Sequence, residues 1–532
     1  MRKFTSYWSG IIAGFLLISI LSGAGYGIYN KRATVLKIVK HCKNIIFQKY
    51  RAKNVPTNNI KSQKKITGSI TIHVNPSAEL KKISRLLYGS NLSPQMESEP
   101  DIIKFIQNTG ISCFRFPGGG SPGYHWKSGK SDFSDRYTDT PLSDIDYAIE
   151  FSRRSNAETI TQVNLESGTP KEAAEWVEYM NKKAGFRVNY WELGNEVFGD
   201  WDKAYMSADK YAKTIKEYAT AMKKIDPDIK IGMNWKPAED GFMFNSEMLK
   251  KAGDQVDFIS FHWYPNHINA SHRYKGRIHP TTQEILANPL QIPIIVTNMK
   301  KMAPNAEVTF LEWDCGWDAP NSDFPPYSQG ILQWSLANAL FHADALGQMA
   351  LSGVTVSTQY LLQDINFGLI RGWDKEAGWG GQRWDGETIR PKAFAIELFA
   401  KHFGDILIDA KVENSPSYYK EADWWPDSYT GEVPYISCYA SKFSNKNRLA
   451  LVIINKHSDT DYRINIKTEL LGLNPAAKLY LLNGSHILAE NDGNPGMIGI
   501  KEYDVNNISN DFWYTAPAHS VSVFEIDHDK TK

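Results

Sequence analysis

The chain has 532 residues, with 60 Lys and Arg against 59 Asp and Glu, 16 Trp and 26 Tyr. That length exceeds one small domain and suits a barrel of roughly 250 to 300 residues with one or two smaller pieces. The near-neutral total hides an asymmetry: thirteen basic and no acidic residues precede Glu79, so the rest of the chain is net acidic and nucleic acid is excluded as its partner.

The segment Phe4 to Asn30 is 27 residues without a charge, rich in Ile, Leu, Phe and Gly from Ile11 to Ile28. It is long enough to cross a bilayer, which predicts an N-terminal transmembrane helix and a single-pass membrane protein. Ser22-Gly23-Ala24 resembles a small-residue cleavage site, so a secretory signal peptide stays open as the alternative. From Lys31 to Lys65 there are eleven basic residues and no acid. Val35, Ile38, Val39, Cys42, Ile45 and Ile46 recur there at helical spacing. The stretch reads either as a basic amphipathic helix on anionic lipid or as a solvated linker. Cys42, Cys113, Cys315 and Cys438 are widely spaced, without the rhythm of a disulfide framework or of a metal site. No metal and no cofactor is expected.

After a strand at Ile66 to Val74, short apolar runs alternate with helical stretches, the signature of a parallel sheet with crossover helices. Strands are predicted near Arg85–Leu92, Cys113–Gly118, Thr159–Asn164, Tyr190–Glu196, Lys230–Trp235, Asp257–Tyr264, Val308–Trp313 and Val354–Leu362. Eight such strands close a (β/α)8 TIM barrel. Helices are predicted at Asp101–Thr109, Asp144–Ser155, Lys171–Lys183, Ser207–Ile225 and Ser328–Leu346. Two long segments, Pro265 to Ala306 and Phe367 to Trp384, read as loops that shape a cleft.

Two of the strands share a design. Asn189-Tyr190-Trp191-Glu192-Leu193-Gly194-Asn195-Glu196 is an aromatic and apolar run ending at an acid, and Val308-Thr309-Phe310-Leu311-Glu312-Trp313 repeats the pattern. Strand ends of a parallel barrel converge on one mouth, so Glu196 and Glu312 are expected to face each other. Glycoside hydrolysis needs such a pair, one carboxyl group protonated to donate to the leaving oxygen and one ionised. The charge of Glu312 and partial burial are expected to raise the pKa of Glu196 and keep it protonated near neutral pH. Glu192, four residues before Glu196 and alternating with the inward positions, reads as a structural ion-pair partner. Trp126, Trp201, Trp263, Trp313, Trp317, Trp373, Trp379 and Trp384 fall in or near loops above the barrel. A sugar platform is open to them, but packing is the plainer reading for any single one.

The glutamate pair, Gly194-Asn195-Glu196, Phe261-His262-Trp263-Tyr264, Arg115-Phe116-Pro117-Gly118-Gly119 and Pro391 to Phe399 together resemble clan A retaining glycoside hydrolases, above all the family 51 α-L-arabinofuranosidases. The likeness runs from about Ile66 to Asp527. It implies that Glu196 is the general acid/base and Glu312 the nucleophile. It further implies that Asn195 bonds the sugar 2-hydroxyl and Arg115 keeps the nucleophile ionised. His262 and Tyr264 would orient the two acids, and Gln363 would touch the sugar. Two departures stand out: Ser93 replaces a sugar-binding glutamate and Gly120 replaces an asparagine, both of which hold the terminal furanose. A widened subsite taking a pyranose or an internal stretch of polysaccharide, as in endo-β-glycanases, is therefore the alternative. A non-catalytic polysaccharide-binding protein is the rival from another class.

From about Gly404 the pattern changes to alternating runs at Tyr435–Ser441, Arg448–Asn455, Tyr462–Ile466, Ala477–Leu482 and Ser520–Ile526, which predicts an all-β sandwich. The expected organisation is a membrane anchor or signal at 1–30 and a basic segment and linker at 31–65. A strand lent to the sandwich follows at 66–76, then the barrel at 77–403 and the sandwich at 404–532. An oligo- or polysaccharide is the expected substrate, with the membrane as second partner; the oligomeric state is left open. An enzyme acting on polysaccharide faces outward, yet the basic residues after the apolar span favour a cytoplasmic body, and the two indications stay opposed.

Overall fold

The computed structural model describes residues 68–94, 96, 100–131, 140–237, 241–268, 280–318, 330–373, 383–422 and 428–529. Eight parallel strands close a barrel: Gly89–Asn91, Cys113–Phe116, Glu158–Val163, Tyr190–Leu193, Lys230–Asn234, Phe258–Trp263, Glu307–Trp313 and Val356–Gln359. These are the eight expected runs, most of them shorter than expected and the third and seventh beginning one residue earlier, and they are called the first to eighth barrel strands below. A helix follows each strand on the outside, among them Ile145–Ser155, Pro170–Glu178, Ala208–Ile225 and Leu336–Ser352. Their starts are chemical. Asp144 accepts from the backbone N–H groups of Asp146 and Tyr147, Thr169 from that of Glu172 ahead of Pro170, and Ser207 from that of Lys210.

The segment after the sixth strand departs from expectation. Within Pro265 to Ala306 lie two helices, Thr282–Ala287, opened by a capping box of Thr281 and Glu284, and Ile292–Met302. The β-branched run Ile292 to Thr297 disguises the second. Burial of Ile292, Ile295, Val296 and Met299 along one helical face overrides that local preference.

The barrel interior is layered. Leu86, Cys113, Ile160, Tyr190, Phe258, Leu311 and Val356 form an apolar floor. Two residues further along their strands, Arg115, Glu192, Ser260 and Thr358 make a buried polar layer.

The second sheet has nine strands in the spatial order Ile500–Val505, Leu473–Leu482, Ser520–His528, Arg448–Asn455, Ile436–Lys442, Ile406–Glu413, Ile70–Lys82, Tyr462–Thr468 and Asp511–Ala516. Ile70–Lys82 pairs antiparallel with Ile406–Glu413 and parallel with Tyr462–Thr468. Leu479, Phe524, Leu451, Ile72, Ile464 and Phe512, from across its whole width, share one core, so the sheet folds over on itself as a sandwich. The helix Leu336–Ser352 joins it to the barrel. Lys456 and Asp344, both fully buried, pair at 2.8 Å, the Tyr439 hydroxyl donates to Asp344, and the Leu336 and Ala337 N–H groups donate to the carbonyls of Ala489 and Ile487.

The predicted transmembrane helix is corrected. No helix among the described residues is long and apolar enough to cross a membrane, and residues 4–30, where that helix is read, lie outside the described residues, as does the basic segment 31–65.

Candidate active site

The fourth strand delivers two acids to different depths. Glu192 points inward and is fully buried. The chain then turns through Gly194 (φ 82°) and Glu196 itself, whose φ of 43° lies in the left-handed region that a residue with a Cβ rarely adopts. That turn puts the Glu196 carboxyl at the mouth. Strain of this kind costs of order 1–3 kcal/mol and persists where the surroundings demand a particular side-chain direction.

The seventh strand reaches the same place by a different device. Phe310 faces Phe261 of the sixth strand, but the next pairing is Glu312 with His262, so Leu311 is an extra residue. This β-bulge lets Leu311 pack in the floor while Glu312, its neighbour, also points into the barrel.

Between the acids stands His262. Its Nδ1 is 2.9 Å from Glu196 Oε1 and 3.6 Å from Glu312 Oε2, and its Nε2 is 3.7 Å from Glu192 Oε1. Burial alone would strip the ring of its proton. The negative charge of Glu312, with the Glu192 carboxylate beside Nε2 and the hydrogen bond to Glu196, outweighs it and pushes its pKa up to about 9. Glu196 responds in the opposite sense to expectation. Burial raises its pKa, but the hydrogen bond and charge of His262 and the Trp201 indole N–H at 2.8 Å prevail, and it lies below the ordinary carboxyl value. The resemblance implies that His262 orients both acids; the structure adds that it does so as a cation. Ligand atoms of Glu196, His262 and Glu312 fall within 4.8 Å of one another, a spacing a metal ion also accepts. A protonated imidazole has no lone pair to offer a cation, so the cluster fits proton sharing better than ligation.

Arg115, fully buried on the second strand, organises the layer beneath. It donates from Nε to Glu192 at 2.6 Å, and from one terminal nitrogen to Glu312 at 2.6 Å and Asn91 at 3.1 Å. The other terminal nitrogen donates to Asn195 at 2.8 Å. Glu192 also accepts from Asn234 at 2.9 Å and from the Ser260 hydroxyl. Buried among these donors, with Arg115 as the chief charge, Glu192 is held down to about 2. Tyr264 donates to Glu312 Oε2 at 3.1 Å. Gly119 closes the space: a Cβ there would sit 2.1 Å from Glu312 Oε1 and 3.2 Å from the Asn195 oxygen.

Of the residues singled out from sequence, Glu196, Glu312, Asn195, Arg115, His262 and Tyr264 form one cluster held by hydrogen bonds and by the His262–Glu312 ion pair. Gln363 makes no hydrogen bond to it. Its side chain is fully buried and both amide atoms lack a hydrogen-bond partner among the described residues. Ser93 and Gly120 are neighbours, since a Cβ on Gly120 would lie 3.8 Å from the Ser93 hydroxyl and 3.9 Å from that of Tyr360. Sequence reasoning missed Asn91, Ser260 and Asn234, which support the acids from adjoining strands and whose polar-in alternation is the only trace they leave. Of the tryptophans, Trp126, Trp263 and Trp313 are buried, while Trp201 is 68% exposed.

Comparison with known proteins agrees with this picture. Residues 152–280 match the family model for glycosyl hydrolase family 79, N-terminal domain. An intracellular exo-α-(1→5)-L-arabinofuranosidase of Halalkalibacterium halodurans is 23% identical over 74% of this chain and 86% of its own length. A Streptomyces lividans protein of the same name is 29% identical over 31% of this chain, which spans only 29% of that protein. Among solved structures, the Thermotoga maritima α-L-arabinofuranosidase superposes with a TM-score of 0.71 at 23% identity, over 86% of this chain and all of that one. A family 44 xyloglucanase of Paenibacillus polymyxa gives 0.61 at 13% identity, over 87% of this chain and all of that one. The chain is a glycoside hydrolase of the clan A type. It stands close to the family 51 α-L-arabinofuranosidases. The single-pass membrane localisation is corrected as well: relatives of this kind carry "intracellular" in their names, and no spanning helix stands among the described residues.

Proposed function

We propose that the protein is a retaining glycosidase, arabinofuranosidase-like, in which Glu312 is the nucleophile and Glu196 the acid/base. One observation carries this reading: the Glu196 and Glu312 carboxylates approach within 4.8 Å through their nearest oxygens and flank a single imidazole nitrogen. Retention calls for carboxyl groups ~5–5.5 Å apart, whereas inversion needs ~6.5–9.5 Å to seat a water.

In the first step Glu312 attacks the anomeric carbon while the glycosidic oxygen leaves with a proton from Glu196. Before reaction that proton is shared with His262 across 2.9 Å, and the approach of the leaving oxygen draws it onto the carboxyl group. Forming the glycosyl ester removes the charge of Glu312, which is what chiefly holds the proton on His262. In the second step Glu196 takes a proton from water, which displaces Glu312 and restores the original configuration. Arg115, bonded to Glu312 and Asn195, fixes nucleophile and 2-hydroxyl contact as one unit.

Arabinofuranosides are the first substrates to try, by the names of the relatives. A second reading, endo action on a β-linked polysaccharide, is favoured by the corner where Ser93 and Gly120 meet, because neither side chain fills the space that a glutamate and an asparagine would. The test is a panel of aryl glycosides and polysaccharides with the full-chain protein beside Glu196→Gln and Glu312→Gln. Each variant should lose at least a hundredfold in rate. Rates within severalfold of the wild type would remove these roles.

A further inference from the structure

We infer that Trp201 and the apolar rim beside it form the binding site for the leaving-group side of a glycan chain, so that the enzyme's preferred substrate carries several sugars beyond the cleaved bond. This rests on the proposed roles of the two glutamates.

The argument begins at one carboxyl group. Glu196 Oε1 faces His262 and the nucleophile, while Glu196 Oε2 accepts the indole N–H of Trp201 at 2.8 Å. An acid that protonates a leaving oxygen must have that oxygen within hydrogen-bond reach, about 2.6–3.2 Å. Whatever departs therefore lies against the group anchored to the same carboxyl, and that group is Trp201. Its N–H is committed and part of the ring lies over Gly199, yet 68% of the residue is exposed. A large aromatic is seldom left so open without a ligand to cover it, and a flat face suits the C–H surface of a sugar ring.

Aromatic packing connects Trp201 to the next element. Phe198 packs edge-on against both Trp201 at 6.3 Å and Phe244 at 6.5 Å, which joins the loop after the fourth strand to the helix Gly241–Ala252 after the fifth. Each side presents further uncovered groups: Tyr205, 55% exposed, on one, and Phe242 and Met243, 60% and 72%, on the other. All belong to segments that leave the C-terminal ends of the fourth and fifth strands, the end of the barrel at which Glu196 stands. Ser93 and Gly120 line a different corner, beside Tyr360. The rim thus lies where product leaves, and its reach beyond one indole suits a chain better than a single sugar or an alcohol.

Two variants separate the indole face from its N–H. Trp201→Phe keeps an aromatic face and loses the donor; Trp201→Ala loses both. kcat/KM is measured on a glycosyl fluoride, which has no leaving sugar, and on an oligosaccharide of the same glycosyl unit. Trp201→Ala should lose at least tenfold more on the oligosaccharide than on the fluoride, chiefly through KM, and Trp201→Phe should recover most of that difference. Trp513→Ala, which removes an exposed tryptophan of the sandwich, should change neither. In parallel, calorimetry of oligosaccharide binding to full-chain Glu312→Gln, with and without Trp201→Ala, reads the platform without turnover and should show at least tenfold weaker binding in the double variant. Equal losses on both substrates, or unchanged binding in the double variant, would overturn the inference. Failure of Glu312→Gln to lose activity would instead strike the catalytic assignment on which it rests.

Discussion

Nδ1 of His262 lies 2.9 Å from one candidate catalytic carboxylate and 3.6 Å from the other, and the ring holds its proton to about pH 9. Activity should therefore decline on the alkaline side as that shared proton is lost near pH 9, and a pH–rate profile checks this. The same shift is linked to folding. A histidine whose folded pKa is raised from 6.5 to about 9 contributes stability fully below pH 6.5, and loses it as pH climbs through about 9. Thermal melts of the wild type should fall over that window, and those of His262→Gln should fall less. Gly119 makes a sharper prediction. Because a Cβ there would stand 2.1 Å from Glu312 Oε1, Gly119→Ala should displace the nucleophile and lower kcat by at least a hundredfold with the fold retained in circular dichroism. Both acids were visible in the sequence as strand-end glutamates. The protonation of His262 was not, since it depends on three carboxylates, two delivered by the fourth strand and one by the seventh, that close on the ring only in the fold.

Among the elements, the fourth and seventh strands bring their acids together by irregularity rather than by regular pleating. The left-handed turn at Glu196 and the bulge at Leu311 each change a side chain's direction by one residue. Periodicity locates all eight barrel strands because their apolar runs are short and bounded. It misses the helix at Ile292–Met302, whose β-branched composition argues against the conformation that burial selects. It misses the edge strand Ile500–Val505 for the opposite reason, since Lys501, Glu502, Tyr503 and Asp504 are exposed and show no alternation. The uncharged N-terminal run gave a transmembrane reading by length alone, and no described helix supports it. Glu192 ties elements together: fully buried, it bonds Arg115 of the second strand, Asn234 of the fifth and Ser260 of the sixth. Glu192→Gln should destabilise the fold by about 3–5 kcal/mol, the usual consequence of removing one partner from a buried ion pair. Denaturant unfolding reads this directly.

At the scale of the whole molecule, the barrel and the nine-stranded sandwich share a helix and a buried charge pair. Lys456 of the sandwich reaches Asp344 of the barrel helix with both side chains fully removed from solvent. Lys456→Met should strand Asp344, again costing about 3–5 kcal/mol, and should lower a single unfolding transition instead of separating two. Two resolved transitions in calorimetry would show that the halves fold independently. The sandwich thereby steadies the helix that follows the seventh strand, the strand that carries Glu312. Everything proposed for catalysis depends on that strand presenting its carboxylate within covalent reach of a sugar held opposite Glu196. The most direct measurement is the anomeric configuration of the first sugar released, followed by proton NMR before it mutarotates. Retention of the substrate's configuration is the predicted result, and release of the inverted anomer would contradict the account.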